Sequence, residues 1–344
     1  MRPRASEAGW ADGRTGGWRT AFALLILSAH SSVRLCAQDQ PLNAAALFLL
    51  FPVGARSVAT GQAAAASEGR GEVVFQNPAG VASLTSSEFA LHTSALAAGP
   101  TTAITAFFPR RGIGVFGATF YLADYGTQPN VDSNGVEIGQ NSSRNLALLA
   151  TFAAPLTSGI SLGVSYKLIQ FRVDCSGGGC LNVPSGEGVT HALDVGGQFT
   201  VGADHELRIG VALRNLGFPL QVNNKDQADP LPTRLTVGAI YKLQLRPVSE
   251  DSSENRFDVR MLADVESPLR QTGNPDVRVG VDVGYQELVR VRGGYAFQRA
   301  GLSGPSLGVG LKTGAIGVDL AQLFLTGTDL ITNGSTFLSF RVVF

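Results

Sequence analysis

The sequence predicts an all-β protein, a transmembrane antiparallel β-barrel of about 14 strands, and three observations carry that reading. The first is composition. Of 344 residues 42 are Gly, 44% are hydrophobic and only 16% are charged, against roughly 25% charged in soluble domains. The second is a succession of segments, each about ten residues long, in which apolar and polar side chains alternate; that period belongs to a strand with one greasy face. The third is the links between segments, which run short and then long, as in membrane barrels. Past the N-terminal stretch no apolar run approaches the roughly 18 residues a spanning helix needs. The 27 basic and 27 acidic side chains balance, which argues against a nucleic-acid partner.

The chain opens as an export signal. Arg2, Arg4, Arg14 and Arg19 precede the apolar stretch Ala21–Leu27, and Leu35-Cys36-Ala37 offers a cleavage site after Ala37, so residues 1–37 are expected to be removed. Arg34 and Leu35 stand where a lipobox wants small residues, so Cys36 is not expected to carry lipid. Residues 38–86 follow without sustained alternation. They contain Gly54-Ala55-Arg56-Ser57, the alanines Ala63–Ala66 and Asn77-Pro78-Ala79-Gly80.

From residue 87 to 344 the chain reads as strand after strand: 87–96, 101–108, 112–124, 143–153, 159–172, 189–200, 205–214, 233–243, 256–266, 276–286, 288–297, 305–312, 315–324 and 335–344. Short links are expected at Pro109–Arg111, Pro155–Ser158, Val201–Asp204, Glu287 and Thr313–Gly314, and long ones at 125–142, 173–188, 215–232 and 325–334. The stretch 244–255 breaks the rule, being long on the short-turn side. A soluble antiparallel sheet also alternates, but these segments have the length of tilted membrane strands. An even strand count puts both barrel ends on the periplasmic side of an outer membrane, as export requires. The last strand sets Leu338, Phe340, Val342 and Phe344 on one face, the form of a barrel-assembly signal. Both tryptophans lie in the leader, so an aromatic girdle would fall to Tyr121, Tyr125, Tyr241, Tyr285 and Tyr295.

Cys175 and Cys180 flank three glycines and a serine. In an oxidising compartment that spacing predicts a disulfide across a loop, and the neighbourhood offers no further ligands for a metal.

The polar faces of three strands gather charge. Asp258, Asp264, Glu266, Asp276 and Asp282 stand among Arg260, Arg278, Arg290 and Arg292. They form either a lumen wall that meets the N-terminal segment or a ligand's carboxylate, or an internal ion-pair network that neutralises itself. Arg56, in a stretch otherwise poor in charge, is a candidate partner for a wall carboxylate. Asn77-Pro78 predicts a turn where segment meets barrel. Enzyme chemistry finds no footing. His30, His92, His191 and His205 are scattered, and Gly308–Gly314 imitates a phosphate loop but continues a strand instead of opening a helix. No catalytic site, metal or cofactor is expected.

The run from Phe48 through Gly54-Ala55-Arg56-Ser57 to Ala63, continued at Asn77–Ala82, resembles the start of PorV/PorQ-like outer-membrane proteins. These are similar to FadL long-chain fatty-acid transporters, which share the Asn-Pro-Ala element. Arg214–Gly217, Leu231–Leu235, Val291–Tyr295 and Val318–Ala321 extend the likeness through the barrel. Phe75-Gln76 and Ser67–Arg70 depart from it. The resemblance implies a fourteen-stranded barrel with residues 38–86 inside as a lumenal plug, Arg56 and Asn77–Gly80 being the plug or gating residues. It implies passive uptake of hydrophobic small molecules, with outer-membrane lipid and a hydrophobic ligand as partners. The alternatives are a component of protein secretion or surface attachment, with secretion-system proteins as partners, or a structural barrel.

Overall fold

The computed structural model describes residues 44–96, 98–180, 185–202, 206–222, 228–244, 257–269, 275–286, 288–297, 303–324 and 334–344. The expected export signal lies outside them. Fourteen antiparallel strands close into one barrel, each paired with its sequence neighbours, and β1 seals against β14. They are β1 Glu88–Leu96, β2 Gly99–Arg110, β3 Gly114–Val131, β4 Glu137–Thr157, β5 Ile160–Gly177, β6 Gly186–Val201 and β7 Leu207–Gly217. The circuit continues with β8 Arg234–Gln244, β9 Phe257–Pro268, β10 Asp276–Tyr285, β11 Val289–Phe297, β12 Gly304–Thr313, β13 Ile316–Leu323 and β14 Ser335–Val343.

The alternation read from the sequence is the alternation of the two faces, with burial inverted relative to a soluble sheet. On β10, Val277, Val279, Val281 and Val283 are 36–43% exposed, while Arg278 and Asp282 are 6% and 2% exposed. On β14, Leu338 and Phe340 face out and Ser339 is buried. Apolar side chains turned outward all round, with the polar ones inside, make a lipid-facing surface. No helix among the described residues is long and apolar enough to cross a membrane. The Phe344 amide and carbonyl both bond Ser87, at 2.9 and 3.0 Å, which ties the C-terminus to the start of β1.

Two sequence expectations need correction. β3, β4 and β5 run to 18, 21 and 18 residues, so most of the expected loop 125–142 and half of 173–188 is strand. The polar stretch there has no greasy face because it stands beyond the lipid, where both faces of a sheet meet water and period two is not enforced. Cys175 and Cys180 are bonded at its tip, their Cα atoms 5.7 Å apart. Tyr121, expected in an outer girdle, instead points inward and is 2% exposed, since its strand puts it in phase with buried Ala123. Tyr241, by contrast, is 39% exposed.

Residues 44–86 carry little regular structure: a short α-helix Ala55–Ala59 and 3-10 turns at Leu47–Leu50, Gly71–Phe75 and Pro78–Ser83. Yet Val58, Ala63, Ala65, Val73, Val74 and Asn77 have no exposed surface. Their surroundings are the inward side chains of the strands. Two glycines show how close the approach is. Gly61, at φ +65°, passes so near β10 and β11 that a Cβ would stand 2.5 Å from the Val279 carbonyl and 2.6 Å from the Tyr295 amide. Gly163 on β5 leaves room for the Pro78-Ala79 peptide; a Cβ there would stand 2.5 Å from the Ala79 nitrogen.

Candidate functional site

The site follows from what faces inward. Call the end of the barrel bearing Arg111–Ile113 and Gly314-Ala315 the turn end, and the opposite one, with the β5–β6 and β7–β8 connections, the loop end.

Towards the loop end the interior of β2–β6 is apolar. Phe48, Tyr121, Leu149, Ile169, Leu220 and Leu231 form one buried cluster. Phe48 stacks on Tyr121 with ring centroids 5.7 Å apart, Phe75 meets the same ring edge-on at 5.7 Å, and the Tyr121 hydroxyl donates to the Phe48 carbonyl at 3.2 Å. Above this cluster opens a cavity of about 490 Å³, lined by Ala44–Leu47, Tyr125, Phe171, Leu220 and Val222, with Gln128, Asn141 and Asn145 as polar points. Its volume is that of a small-molecule site. At its side β3 bulges: the pairing with β4 slips between Asp124 and Thr127. Below it, Leu49–Val53, Phe75 and Gln76 close on Tyr121, Leu149, Lys167, Arg214 and Arg278, leaving about 20 Å³. That holds roughly one water. Two further cavities, of about 460 and 640 Å³, open at the turn end on either side of Glu68.

On β7–β14 the interior is charged. Glu266 takes a bidentate pair from Arg278 at 2.9 and 3.1 Å, a contact from Arg214, a bond from the Thr236 hydroxyl at 2.9 Å and Arg234 at 3.8 Å. Asp282 meets Arg290 at 2.7 Å and Arg292 at 3.3 Å, and Asp258 meets Arg290 at 2.6 Å and Arg260 at 3.0 Å. Asp276, at the loop end of β10, is half-buried. Glu266, Asp282 and Asp258 thus each serve two or more guanidiniums, geometry in which buried charge is satisfied by its neighbours.

Asp264 does something else. One carboxylate oxygen accepts the backbone amides of Ala64 and Ala65, both at 2.8 Å. Gln198 on β6 donates to the Ala65 and Ser67 carbonyls at 3.2 and 2.7 Å. The alanine run, without polar side chains, is therefore held by its main chain. Asn77 is deep inside, not at the segment's margin. It caps the turn that follows by accepting the Ala79 amide at 3.0 Å, and donates to the Ala65 carbonyl at 2.7 Å and to Gly197 of β6 at 3.2 Å. Pro78, Ala79 and Gly80 are buried in that turn.

Arg56 donates to the Glu68 carbonyl at 3.2 Å, within the same segment. The segment arginine that meets a wall carboxylate directly is Arg70, paired with Asp319 of β13. Glu68 in turn is held by Arg208 and by Lys242 at 3.0 Å, and the Gly71 amide donates to Glu88 of β1 at 2.6 Å. Burial pushes the carboxyl of Glu72 above the usual range, against the pull of Arg70; burial and then Arg70 lower the Arg56 guanidinium. Sequence reading passed over Arg70, Glu68, Asp319 and Lys167. Asp319 and Lys167 carried a signal: Asp319 is the lone charge of β13, and Lys167 the one charge of β5 before Arg172. No group of three His, Cys, Asp or Glu among the described residues could hold a metal ion.

By sequence, no family model and no curated protein matches the chain. Solved structures do. The Ralstonia pickettii toluene transporter TbuX aligns at 14% identity with a TM-score of 0.56, covering 85% of this chain and 98% of that one. The P. putida toluene transporter TodX gives 12% and 0.54, with 85% and 98% covered. The CymD monoaromatic hydrocarbon channel gives 15% and 0.54, with 85% and 97% covered. None of the three supports the PorV/PorQ side of the sequence resemblance. At these identities the likeness is one of fold: the barrel is laid out, over nearly the full length of each, as in hydrocarbon transporters and channels.

Proposed function

We propose that the chain is an outer-membrane channel for the passive uptake of small hydrophobic molecules, with residues 44–86 as its plug. The observation that carries this is the set of cavities inside the barrel: one lined largely by apolar side chains at the loop end, two at the turn end lined by charged and polar ones, and the 20 Å³ pinch where the segment closes on the wall. A pore for ions would be wet throughout. Here the route begins among Phe171, Leu220 and Val222, which favour an apolar solute by roughly 25 cal/mol per Å² it buries. It is shut by the segment itself. Aromatic hydrocarbons of the class named for the TbuX, TodX and CymD structures suit such a chamber, and Tyr125 and Phe171 give a flat ring something to lie against. In this reading Arg56 and Asn77–Gly80 hold the plug, and the wall charges from Asp258 to Arg292 brace the barrel around it.

The test is uptake of toluene into liposomes carrying the purified protein. Wild type should speed entry over empty liposomes, and Phe48→Ala, which removes the ring stacked on Tyr121 of the pinch, should speed it further. Entry no faster than through bare lipid for both proteins would sink the reading. A secretion role would require partner proteins, and no feature of the described residues favours it over transport.

A further inference from the structure

The smaller turn-end cavity, about 460 Å³, is lined by Arg56, Arg70, Arg260, Arg290, Lys312 and Arg341, with Glu68 the one carboxylate on its surface. We infer that this cavity is a binding site for a phosphate-type oxyanion, a site separate from the apolar chamber and not required by the uptake reading.

The argument begins with charge balance. The carboxylates behind the lining are already divided. Asp258 serves Arg260 and Arg290, Asp282 serves Arg290 and Arg292, and Asp319 serves Arg292 and Arg70. Arg341 has Glu88 only at 3.5 Å, and Glu88 also accepts the Gly71 amide. The Arg341 Nε is buried without a hydrogen-bond partner. Arg56 is 7% exposed and donates to a carbonyl. Glu68 is drawn the other way by Arg208 and Lys242. Leaving Lys312 aside and counting Glu72, the guanidiniums of Arg56, Arg70, Arg260, Arg290, Arg292 and Arg341 outnumber the carboxylates of Asp258, Asp282, Asp319, Glu88 and Glu72 around a cavity open at the turn end, and these arginines are buried or half-buried, where unpaired charge is expensive. An anion in the cavity would remove that excess.

Glycines give these charged side chains their room: at Gly310 a Cβ would stand 2.2 Å from an Asp319 oxygen and 2.8 Å from an Arg292 nitrogen, and at Gly317 one would stand 2.9 Å from an Arg341 nitrogen. A phosphate dianion fits better than a single carboxylate, because its several acceptor oxygens can engage guanidinium forks from more than one side. The shared chemistry is a phosphate group, whether free, on a small ester, or on a lipid headgroup reaching in from the adjacent leaflet.

The experiment titrates purified protein, in nanodiscs of phosphatidylcholine, with inorganic phosphate and glycerol 3-phosphate by calorimetry. A parallel arm forms nanodiscs with phosphatidylglycerol and reads retained lipid by native mass spectrometry. The variant is Arg341→Gln with Lys312→Gln, Arg260→Gln is the fallback should that pair fail to fold, and Arg172→Gln at the far hairpin tip is the control. Saturable phosphate binding, weakened about tenfold or more in the site variants and unchanged in the control, supports a free-anion site. A flat phosphate titration with phosphatidylglycerol retained by wild type and lost from the variants supports the lipid as source. No binding of either probe, or equal binding by wild type and site variants, overturns the inference. Because toluene uptake is measured separately, failure here leaves the transport reading standing, and the reverse.

Discussion

Asp264→Ala tests whether residues 44–86 are held by their main chain. The native carboxylate is 2% exposed and accepts two backbone amides, Ala64 and Ala65, at 2.8 Å each. Alanine leaves both donors buried without an acceptor, at about 1–3 kcal/mol each. Partial wetting of the gap offsets some of this, so a net loss of about 3 kcal/mol in local docking is expected, or roughly a hundredfold in the opening equilibrium. Asp264→Asn keeps one carbonyl oxygen and loses only the charge-assisted part, roughly a tenfold effect. Amide hydrogen exchange on the protein in micelles reads this directly, because exchange reports local opening. Protection at Ala64 and Ala65 should fall about a hundredfold in the alanine variant and about tenfold in the asparagine variant, while amides of β3 and β4 stay protected. Unchanged protection at those two amides in Asp264→Ala would refute the reasoning; so would equal losses in the two variants.

Other substitutions probe other contacts. Gly163→Val drives a branched side chain into the Pro78-Ala79 peptide, an overpacking of about 3 kcal/mol or less if the turn can shift; exchange should speed across 77–81 with the barrel still folded by its gel mobility. Replacing Cys175 and Cys180 by Ser opens a loop of sequence separation 5 at a hairpin tip. Protease should then nick that tip sooner while the thermal transition of the barrel is unmoved, since the closed loop is small and local. Glu72 carries a pKa raised above 4.5 by burial, so the docked segment takes up a proton that the undocked one releases. Its contribution is present at and below that ordinary value and is lost as pH rises through the raised one. Wild-type exchange protection around Gly71–Phe75 should therefore fall as pH rises above about 4.5 and through the raised value, and Glu72→Gln should abolish that fall. A variant with the same pH slope as wild type would reassign the effect to another group.

Much of the fold was legible because lipid enforces a period. Wherever Val277, Val279, Val281 and Val283 must face hydrocarbon, polar residues are driven to the other face, and all fourteen strands could be placed from that signal. Beyond the lipid the signal ends, which is why the far ends of β3, β4 and β5 read as loops. The site was half legible. Wall charges announced themselves as polar residues in phase with the buried face, but the sequence does not say which guanidinium meets which carboxylate. Asp264 looked like one more member of that set, yet its partners are amides of alanines, which carry no mark in the sequence. Glycines misled in a similar way: Gly61 and Gly163 count as composition until a second chain segment is seen to pass against them.

How the segment is held bears on how the passage could open. The helix Ala55–Ala59 packs its apolar side on Ala321, Leu323 and Phe337, and its first amide bonds Ser339 at 2.9 Å. The alanine run is fixed by Asp264 and Gln198, and the Asn77 turn by β6. These contacts form a base joined to three sides of the barrel. Residues 44–53 are held more lightly, by the Ala45 amide on the Pro230 carbonyl at 3.0 Å, the Tyr121 hydroxyl on Phe48 at 3.2 Å, and the stacked rings. Between the two parts lies Gly54 at φ +87°, a conformation that glycine takes without strain. The pinch takes Leu49–Val53 from the lighter part, set against Phe75 and Gln76 of the base. Phe48→Ala should therefore raise toluene entry without changing exchange at Ala64 and Ala65, whereas Asp264→Ala should loosen those amides with a smaller effect on entry. If Asp264→Ala raised entry more than Phe48→Ala, the barrier would lie in the base, and residues 44–53 would be a lining of the chamber instead of its closure.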